Sequence, residues 1–526
     1  MLPILAVLAN LAAPARGAFE HLWATSLPDM LVNTFWLVTG VVVGTVVLGV
    51  STAWLVTMCR FKGSRALELA LLLPMAIPAY IVGYAYTDLL QFAGPVQSAL
   101  RAAFDWRRGD YWFPDIQSLG GAILVLTLVL YPYVYLLARA AFLEQSVCAL
   151  EASRLLGQNA WGAFSRVALP LARPAIAAGA ALAAMEALAD FGTVQYFGVD
   201  TFTTAIFRTW YGMDNRVAAA QLASALLGFV LLLLWIERAS RGNSQYHHTS
   251  RRYRPIAPLR LRGWRAGAAF ALCAAPVLLG FAVPAAILAR MSLAGGDPLW
   301  GPRFADYALN SLVLAATAAA ATVALATALV YAKRLSPSPL VAGAVRVAGI
   351  GYAVPGSVVA VGILVPLGLF DNALDAWLRK YLGVSSGLLL SGTVAALVYA
   401  YMVRFLAVAL GTVEAGMGKI TRSMDEAAAT LGAAPPRVLG AVHAPLMWGS
   451  VLTAALMVFV DVLKELPATI IVRPFGFDTL AVRVYTLASD ERLAQASTGA
   501  LAIVAAGLVP VALLSVMIAR ARPGRT

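Results

Sequence analysis

The sequence contains few charged residues. Asp, Glu, Lys and Arg make up 12% of its 526 residues, whereas a soluble globular chain carries roughly a quarter. Hydrophobic residues make up 61%, and the mean hydropathy is +0.79. Because the charges are bunched between long apolar runs, the apolar surface must face lipid as well as protein. This composition indicates a membrane protein.

Cysteine and histidine are also scarce, and their spacing excludes several kinds of site. The three cysteines are isolated, so the sequence contains neither a disulfide framework nor a zinc-binding spacing. The four histidines form no metal-ligand pattern, and we expect a structural role for them. No nucleophile–base set is present either, which disfavours an enzyme embedded in the membrane. The cysteines are Cys59, Cys148 and Cys273, and the histidines are His21, His247, His248 and His443.

The chain lacks a phosphate-binding loop of the form G-x-x-x-x-G-K-[ST]. The nearest stretch, Gly416 to Thr421, is too short and lacks the first glycine. We therefore expect the chain to bind no ATP and to hold no cofactor of its own.

Eleven apolar runs are long enough for membrane-spanning helices. A bilayer core of about 30 Å needs about 20 apolar residues per helix, and a helix satisfies its own backbone hydrogen bonds. The sequence therefore predicts an all-α polytopic membrane protein. The predicted spans are 31–57, 67–92, 118–142, 174–194, 217–236, 266–290, 309–332, 347–370, 387–411, 448–466 and 496–519.

Basic residues predict how the chain is oriented. The net charge of +13 is compatible with nucleic-acid binding, but Lys and Arg also accumulate in the cytoplasmic loops of membrane proteins. With alternating spans, four basic segments fall on one side: 60–65, 238–265, 333–346 and 520–525. We therefore expect a lipid-embedded chain with a cytoplasmic C-terminus in a bacterial inner membrane, and no nucleic-acid partner.

The sequence is a duplication. Asn33, Thr45 and Pro78 match residues 277 positions later, and Glu151, Gly157 and Pro170 match residues 275 positions later. Six predicted spans separate the two copies of the Glu151 segment, so the repeats run parallel. The predicted organisation is a first repeat at 1–237, a basic cytoplasmic linker at 238–265 and a second repeat at 266–526, with about six spans in each repeat and 11–12 in total.

The first repeat begins with a short apolar segment. The match between repeats places Met1 opposite Leu278, inside the 266–290 span. About 13 apolar residues make ~20 Å of helix, too little to cross a bilayer. The segment also lacks the basic start of a secretory signal. We expect either a start further upstream or a vestigial helix.

Two matched loops carry the most specific motif. Glu151-Ala152-Ser153-Arg154-Leu155-Leu156-Gly157 is followed by Leu169-Pro170, and Glu426-Ala427-Ala428-Ala429-Thr430-Leu431-Gly432 is followed by Ala444-Pro445. Ala and Leu favour a short helix, glycine permits the left-handed turn that ends it, and proline restricts the start of the next span. Any Ala-rich helix that ends in glycine has this pattern, but two copies at matched spacing are specific.

These loops resemble the EAA loops of binding-protein-dependent ABC permeases of the type I importer class. The first copy departs from the pattern at Ser153, and the second at Ala444. The resemblance implies a non-catalytic permease subunit with a separate ATP-binding subunit, expected as a dimer, and an extracytoplasmic solute-binding protein. It assigns coupling to the ATPase to Glu151, Ala152, Gly157, Pro170, Glu426, Ala427, Gly432 and Pro445.

Charged residues at corresponding places in two spans are candidates for the translocation path. Glu186 and Asp190 correspond to Asp461 and Glu465, and Lys464 is added in the second copy. Carboxylates at the outer end of a span suit a hard cation. The alternative is structural, with Asp461 and Lys464 paired at i,i+3 and the others accepting hydrogen bonds from neighbouring helices. No metal site is assigned.

Two stretches resemble the fused permeases of ferric-iron ABC importers. They are Ala189 to Thr193 and Lys464 to Thr469, the latter followed by Arg473 to Ala481. The likeness extends over almost the whole chain and implies ferric iron as the substrate. Thiamine, phosphonate and some other importers use similar fused permeases, so these solutes remain alternatives.

Pro78 and Pro355 lie at matching places in two predicted spans. Proline within a span frees a backbone carbonyl and bends the helix, so we expect two broken helices and consider both prolines candidates for the translocation path. A secondary transporter would also have internal repeats and intramembrane carboxylates, but it would have no use for two coupling loops.

Overall fold

The protein is almost wholly helical. The computed structural model describes residues 2–12, 23–107, 109–144, 160–241, 259–295, 301–336, 338–349, 351–418 and 420–520. Within these ranges the β-structure is one parallel pair of two-residue strands, Cys59–Arg60 and Leu259–Arg260. The α-helices are Leu2–Ala9, Leu27–Met58, Ser64–Ala70, Ala79–Leu90, Pro95–Phe104, Leu119–Glu144, Ala160–Ala163, Leu169–Ala189, Gly192–Tyr196, Phe202–Tyr211, Arg216–Arg241, Trp264–Val277, Val283–Ala294, Pro302–Leu335, Pro339–Ala348, Gly356–Leu382, Val394–Met417, Arg422–Thr430, Pro435–Val438, Ala444–Lys464, Pro467–Val472, Leu480–Ser489 and Leu493–Arg520.

Ten helices in the described part of the chain are long and apolar enough to cross a membrane. The count becomes eleven if a bent pair, Ser64–Ala76 and Ala79–Phe104, forms one further span. All eleven overlap predicted spans, with five in the first half and six in the second. Large apolar side chains such as Phe35, Trp36 and Val47 are more than half exposed, as expected for surfaces that face lipid. The prediction of an all-α polytopic membrane protein is confirmed.

Two predicted spans differ from the observed helices. The 67–92 run is two helices with a 92° bend between them, and the helix within 347–370 begins only at Gly356 and continues to Leu382. Pro78 and Pro355 cause both differences. Each is the N-cap of the helix that follows and has extended backbone (ψ 140° and 145°), and each follows a short 3₁₀ turn, Leu73–Ala76 or Gly351–Ala353. The predicted breaks at both prolines are confirmed.

The duplication is visible in matched structural details. A π turn occupies Phe164–Ala168, and another occupies the corresponding Leu439–His443. The Asn33 side chain donates to the Asp200 carbonyl at 3.1 Å, and its counterpart Asn310 donates to the Asp478 carbonyl at 3.2 Å. Local hydrogen bonding therefore repeats along with the sequence, as expected for two copies of one helical unit.

Proline explains where the π turns occur. Three π turns lie among the described residues, and each is followed two positions later by a proline: Pro170, Pro284 and Pro445. Proline has no N–H to donate, and its ring collides with the carbonyl one turn earlier. Widening the turn before the proline removes that collision without ending the helix.

One compact unit consists of residues 22–204, 228–297 and 487–526. It combines the central helices of the first repeat with the first and last helices of the second. Within this unit the Tyr86 hydroxyl donates at 2.6 Å to the carbonyl of Leu279, which lies in the π turn before Pro284. The Ser292 and Thr498 hydroxyls lie 3.0 Å apart. These bonds join spans that are distant in sequence.

The other compact unit consists of residues 1–21, 205–227 and 298–486. The short Leu2–Ala9 helix packs here against Gly356–Leu382, where a Cβ at Gly362 would overlap the Pro3 carbonyl. Ser224 donates to the Val7 carbonyl at 3.0 Å. Each unit therefore contains helices from both sequence repeats. The predicted repeat boundaries concern the duplicated sequence and stay a prediction.

Buried tyrosines complete the hydrogen bonding where the first broken helix ends. The Tyr131 hydroxyl donates to the Leu71 carbonyl at 2.8 Å, and the Tyr135 hydroxyl donates to the Glu68 carbonyl at 2.7 Å. Carbonyls in the last turn of a helix have no partner within it, and an unsatisfied carbonyl is costly in an apolar environment. The Arg139 guanidinium also binds the Glu68 carboxylate in a buried ion pair.

Candidate functional site

The second predicted coupling loop forms a short capped helix, Arg422–Thr430. Gly432 has φ +74°, and two backbone bonds close the helix end: Gly432 N–H to the Ala429 carbonyl (2.9 Å) and Ala433 N–H to the Ala428 carbonyl (3.0 Å). This pair of bonds is a Schellman motif, which places a left-handed residue just after the helix. Glycine adopts that conformation without steric strain.

The Arg422–Thr430 helix has one buried side, and most of its other residues are exposed. Ala428 is buried, whereas Glu426 and Ala427 are exposed. Met424 is 44% exposed, and Leu431, at the capped end, is 87% exposed. A carboxylate beside exposed apolar side chains and small alanines forms a surface onto which another protein can pack closely.

The first predicted coupling loop lies largely outside the described residues. Glu151, Ala152 and Gly157 all fall in that undescribed part. Pro170 is described and lies at the start of the Leu169–Ala189 helix, as Pro445 does at the start of Ala444–Lys464. The predicted roles of these residues in coupling stay predictions.

Two of the predicted path carboxylates cap short helices in matched positions. Asp190 accepts hydrogen bonds from the backbone N–H groups of Thr193 and Val194, both at 3.1 Å. Its counterpart Glu465 accepts from those of Ala468 at 2.9 Å and Thr469 at 3.0 Å. A carboxylate at a helix N-terminus satisfies N–H groups that lack a partner within the helix. Both residues therefore have a structural role of the kind considered as the alternative.

Glu465 also forms a buried ion pair. Arg404 donates to its carboxylate at 3.0 Å, and both side chains are almost wholly buried. Gly356 lies against this pair: a Cβ there would overlap the Arg404 guanidinium and lie 2.6 Å from Glu465 Oε1. The corresponding residue of the first repeat is Ala79. Glycine after Pro355 is therefore explained by the close approach of the ion pair.

The remaining predicted path residues are engaged differently. Asp461 and Lys464 form an ion pair at 2.9 Å across one helical turn, which is the pairing considered as the structural alternative. Glu186 is half-buried and forms no hydrogen bond or ion pair within the described ranges. Among the four carboxylates, Glu186 is therefore the one without such a partner in the part of the chain that the structure describes, and its place in the path stays a prediction. No group of three or more metal-ligating side chains occurs in the described part of the chain.

Comparing corresponding positions in the two repeats does not predict which charged residues pair across helices. Arg404 lies inside a predicted span, as do Glu68 and Arg139, and each forms a buried ion pair. A requirement for matching charges in both repeats omits Arg404, because neither offset pairs it with a charged residue: Val129 lies 275 positions earlier and Thr127 lies 277 positions earlier. The rule that charges inside spans are functional or structural, applied residue by residue, finds all three.

The duplicated helices and their apolar surfaces define a polytopic membrane protein with two copies of one helical unit. Residues 45–240 match the family model described as binding-protein-dependent transport system inner membrane component. This part of the chain therefore has the sequence of that family of permeases.

Individual relatives extend the similarity over almost the whole chain. The Fe(3+)-transport system permease protein FbpB 2 of Haemophilus influenzae is 26% identical over 499 residues, which cover 94% of this chain and 91% of the relative. A putative ferric transport system permease, FbpB 1 of the same organism, is 23% identical over 481 residues, covering 88% and 73%. The molybdenum transport system permease ModB of Escherichia coli is 29% identical over 203 residues, covering 37% and 86%.

The family and the helices together establish the general activity. The chain is a permease subunit of a binding-protein-dependent importer and a multi-pass inner membrane protein. Its relatives are transport permeases, which form a non-catalytic family.

Proposed function

We propose that this chain is the membrane-spanning subunit of an ATP-driven importer of ferric iron. A separate ATPase, acting as a dimer, docks on the two loops that contain Glu151 to Gly157 and Glu426 to Gly432. A solute-binding protein delivers the iron from the other side of the membrane. The ATPase hydrolyses ATP, and this chain forms the path along which the iron crosses the membrane.

The exposed Arg422–Thr430 helix is the observation that carries the coupling role. At the glycine-capped end of this helix the Leu431 side chain is 87% exposed. The Glu426 carboxylate of the same helix is also exposed. An exposed apolar side chain next to a charged group, on a helix with a defined end, is a docking element of small area. The basic segments at 60–65, 238–265, 333–346 and 520–525 support a cytoplasmic position for both loops.

Ferric iron is supported by the extent of the similarity. The relative named for Fe(3+) transport has a similar length and matches 94% of this chain, whereas the molybdenum permease is matched over 86% of its own length but spans only 37% of this chain. The available Glu186 carboxylate agrees with a hard cation, which prefers oxygen ligands.

Uptake by the purified complex tests the proposal. The complex is isolated from its native membrane through a tag on this chain and reconstituted into vesicles with its binding protein. We expect uptake of labelled Fe(3+) to require ATP and to stop with vanadate, because the transport step is tied to phosphate release by the ATPase. Labelled molybdate and sulfate serve as control solutes.

Two results would contradict the proposal in different ways. Vanadate-resistant uptake that follows a proton or sodium gradient would identify a secondary transporter. ATP-dependent uptake of molybdate or sulfate without uptake of iron would keep the importer and exclude iron as its solute.

Replacing Glu186 by glutamine tests the path. The change keeps side-chain size and removes one negative charge from a half-buried position. We expect Fe(3+) uptake to fall on the order of tenfold, which corresponds to a lost interaction of about 1.4 kcal/mol, with ATP hydrolysis and assembly of the complex retained. The control is Glu414→Gln, which neutralises an exposed carboxylate paired with Lys333. Equal uptake by the Glu186→Gln variant and the control would exclude Glu186 from the path.

A further inference from the structure

One arginine joins three segments around the Arg422–Thr430 helix. Arg334 lies in the last turn of Pro302–Leu335, and its Nε donates to Asp425 Oδ2 at 2.7 Å. The same guanidinium donates to the Met417 carbonyl at 3.1 Å and to the Ile420 and Thr421 carbonyls at 3.0 and 3.1 Å. Arg334 therefore holds the end of one span and the start of the short helix together. Its planar fork suits several acceptors at once.

The other oxygen of Asp425 binds a second span. His443 Nε2 lies 2.6 Å from Asp425 Oδ1, and the histidine is 1% exposed at the end of a π turn. The Tyr331 ring packs edge-on against the His443 ring at 5.5 Å, and the Tyr331 hydroxyl donates to the Pro435 carbonyl at 2.5 Å. Asp425 is thus held from both sides, by Pro302–Leu335 and by the helix that leads into Ala444–Lys464.

The charge state of Asp425 agrees with this arrangement. Partial burial by itself raises the pKa of the Asp425 carboxyl, but the hydrogen bonds and charges of Arg334 and His443 lower it by more. The net result is a pKa below the usual value for aspartate, so the carboxylate is ionised at neutral pH. Hydrogen bonds to an ionised group are stronger than those between neutral groups.

The first repeat cannot form the same contact between aspartate and histidine. The counterparts of Asp425 and His443, 275 positions earlier, are Leu150 and Ala168. A leucine and an alanine offer no polar side-chain atoms. The arrangement therefore belongs to the second repeat and is no requirement of the duplicated fold.

We propose that Arg334, Asp425 and His443 form a latch that fixes the coupling helix of the second repeat to two membrane spans. The inference rests on the proposed function and adds to it. Because the latch binds the helix on the side that faces the two spans, Glu426 and Leu431 stay exposed for the partner. Movement imposed on the docked helix passes to both spans through the ionised carboxylate. These three are positioning residues, which act on transport through the helix they hold.

Neutralising or removing latch contacts separates transport from hydrolysis. In vesicles that contain the whole complex, we expect Asp425→Asn and His443→Leu to lower the number of solutes moved per ATP hydrolysed by about tenfold or more, the effect of one charge-assisted hydrogen bond. His443→Gln retains a donor near the Nε2 position and should recover most of that ratio. The matched control is Lys333→Ala, which breaks the neighbouring exposed ion pair with Glu414 and should leave the ratio unchanged.

Amide hydrogen exchange tests the latch independently of transport. In the purified full chain, amides of Arg422–Thr430 should exchange about tenfold faster in Asp425→Asn than in the wild type or Lys333→Ala. Unchanged exchange would overturn the latch whatever the transport result. A proportionate loss of uptake, hydrolysis and assembled complex would also overturn it, since it would show a purely structural role. Faster exchange in Asp425→Asn, found together with a wild-type complex that shows no ATP-dependent uptake, would support the latch and contradict the proposed function.

Discussion

Replacing Gly432 with valine is expected to lower ATP-driven uptake by at least about tenfold while the protein still inserts into the membrane. At φ +74° a non-glycine residue costs roughly 1–2 kcal/mol, and a β-branched residue costs more. The Schellman cap then opens, and the end of the helix that presents Leu431 is no longer defined. Insertion should survive because a Cβ added at Gly432 would have no other part of the protein within 4 Å. Uptake per assembled complex is the measurement.

Two controls separate strain at the loop from strain in general. Gly383→Val imposes the same left-handed strain at φ +68° at the end of the Gly356–Leu382 helix, where an added Cβ would also have nothing within 4 Å. Gly432→Asn places a residue that tolerates this conformation and should retain most uptake. Equal losses in Gly432→Val and Gly383→Val would show that docking by the Arg422–Thr430 helix is not the cause.

Among the substitutions considered, removing Arg404 should cause the largest loss in the free energy of unfolding. Arg404→Leu leaves the Glu465 carboxylate, which is 4% exposed, without its cationic partner. Breaking a buried ion pair in this way costs about 3–5 kcal/mol. The three hydrogen bonds that Glu465 still accepts from Ala468 and Thr469 keep the loss within this range. Thermal unfolding of the detergent-purified chain measures the effect as a fall in Tm.

A double-mutant cycle distinguishes the ion pair from packing. Glu465→Gln added to Arg404→Leu removes the unpaired charge and should recover part of the lost stability, because the two residues are directly coupled. The comparison pair is Asp461 and Lys464, which are partly exposed, so Lys464→Ala should cost about 0–1 kcal/mol. Additive effects of the two substitutions at Arg404 and Glu465 would contradict the buried pair.

Several features could be predicted because they depend on local rules. Apolar runs of span length indicated the helices, since backbone groups in lipid must be satisfied within the segment. The break at Pro78 and the left-handed turn at Gly432 followed from the chemistry of single residues. The Asp461–Lys464 pair, one turn apart on one helix, was open to prediction for the same reason.

The sequence by itself determined the membrane class, the spans and the duplication, because hydropathy and repeated residues act over one helix or over a constant offset. The tertiary structure decided which charges meet. Arg404 with Glu465, and Arg334 with Asp425 and His443, lie on different helices, and such pairs depend on packing distances of a few ångströms. It also decided that each compact unit takes helices from both repeats, because helices pack by surface fit and not by order along the chain.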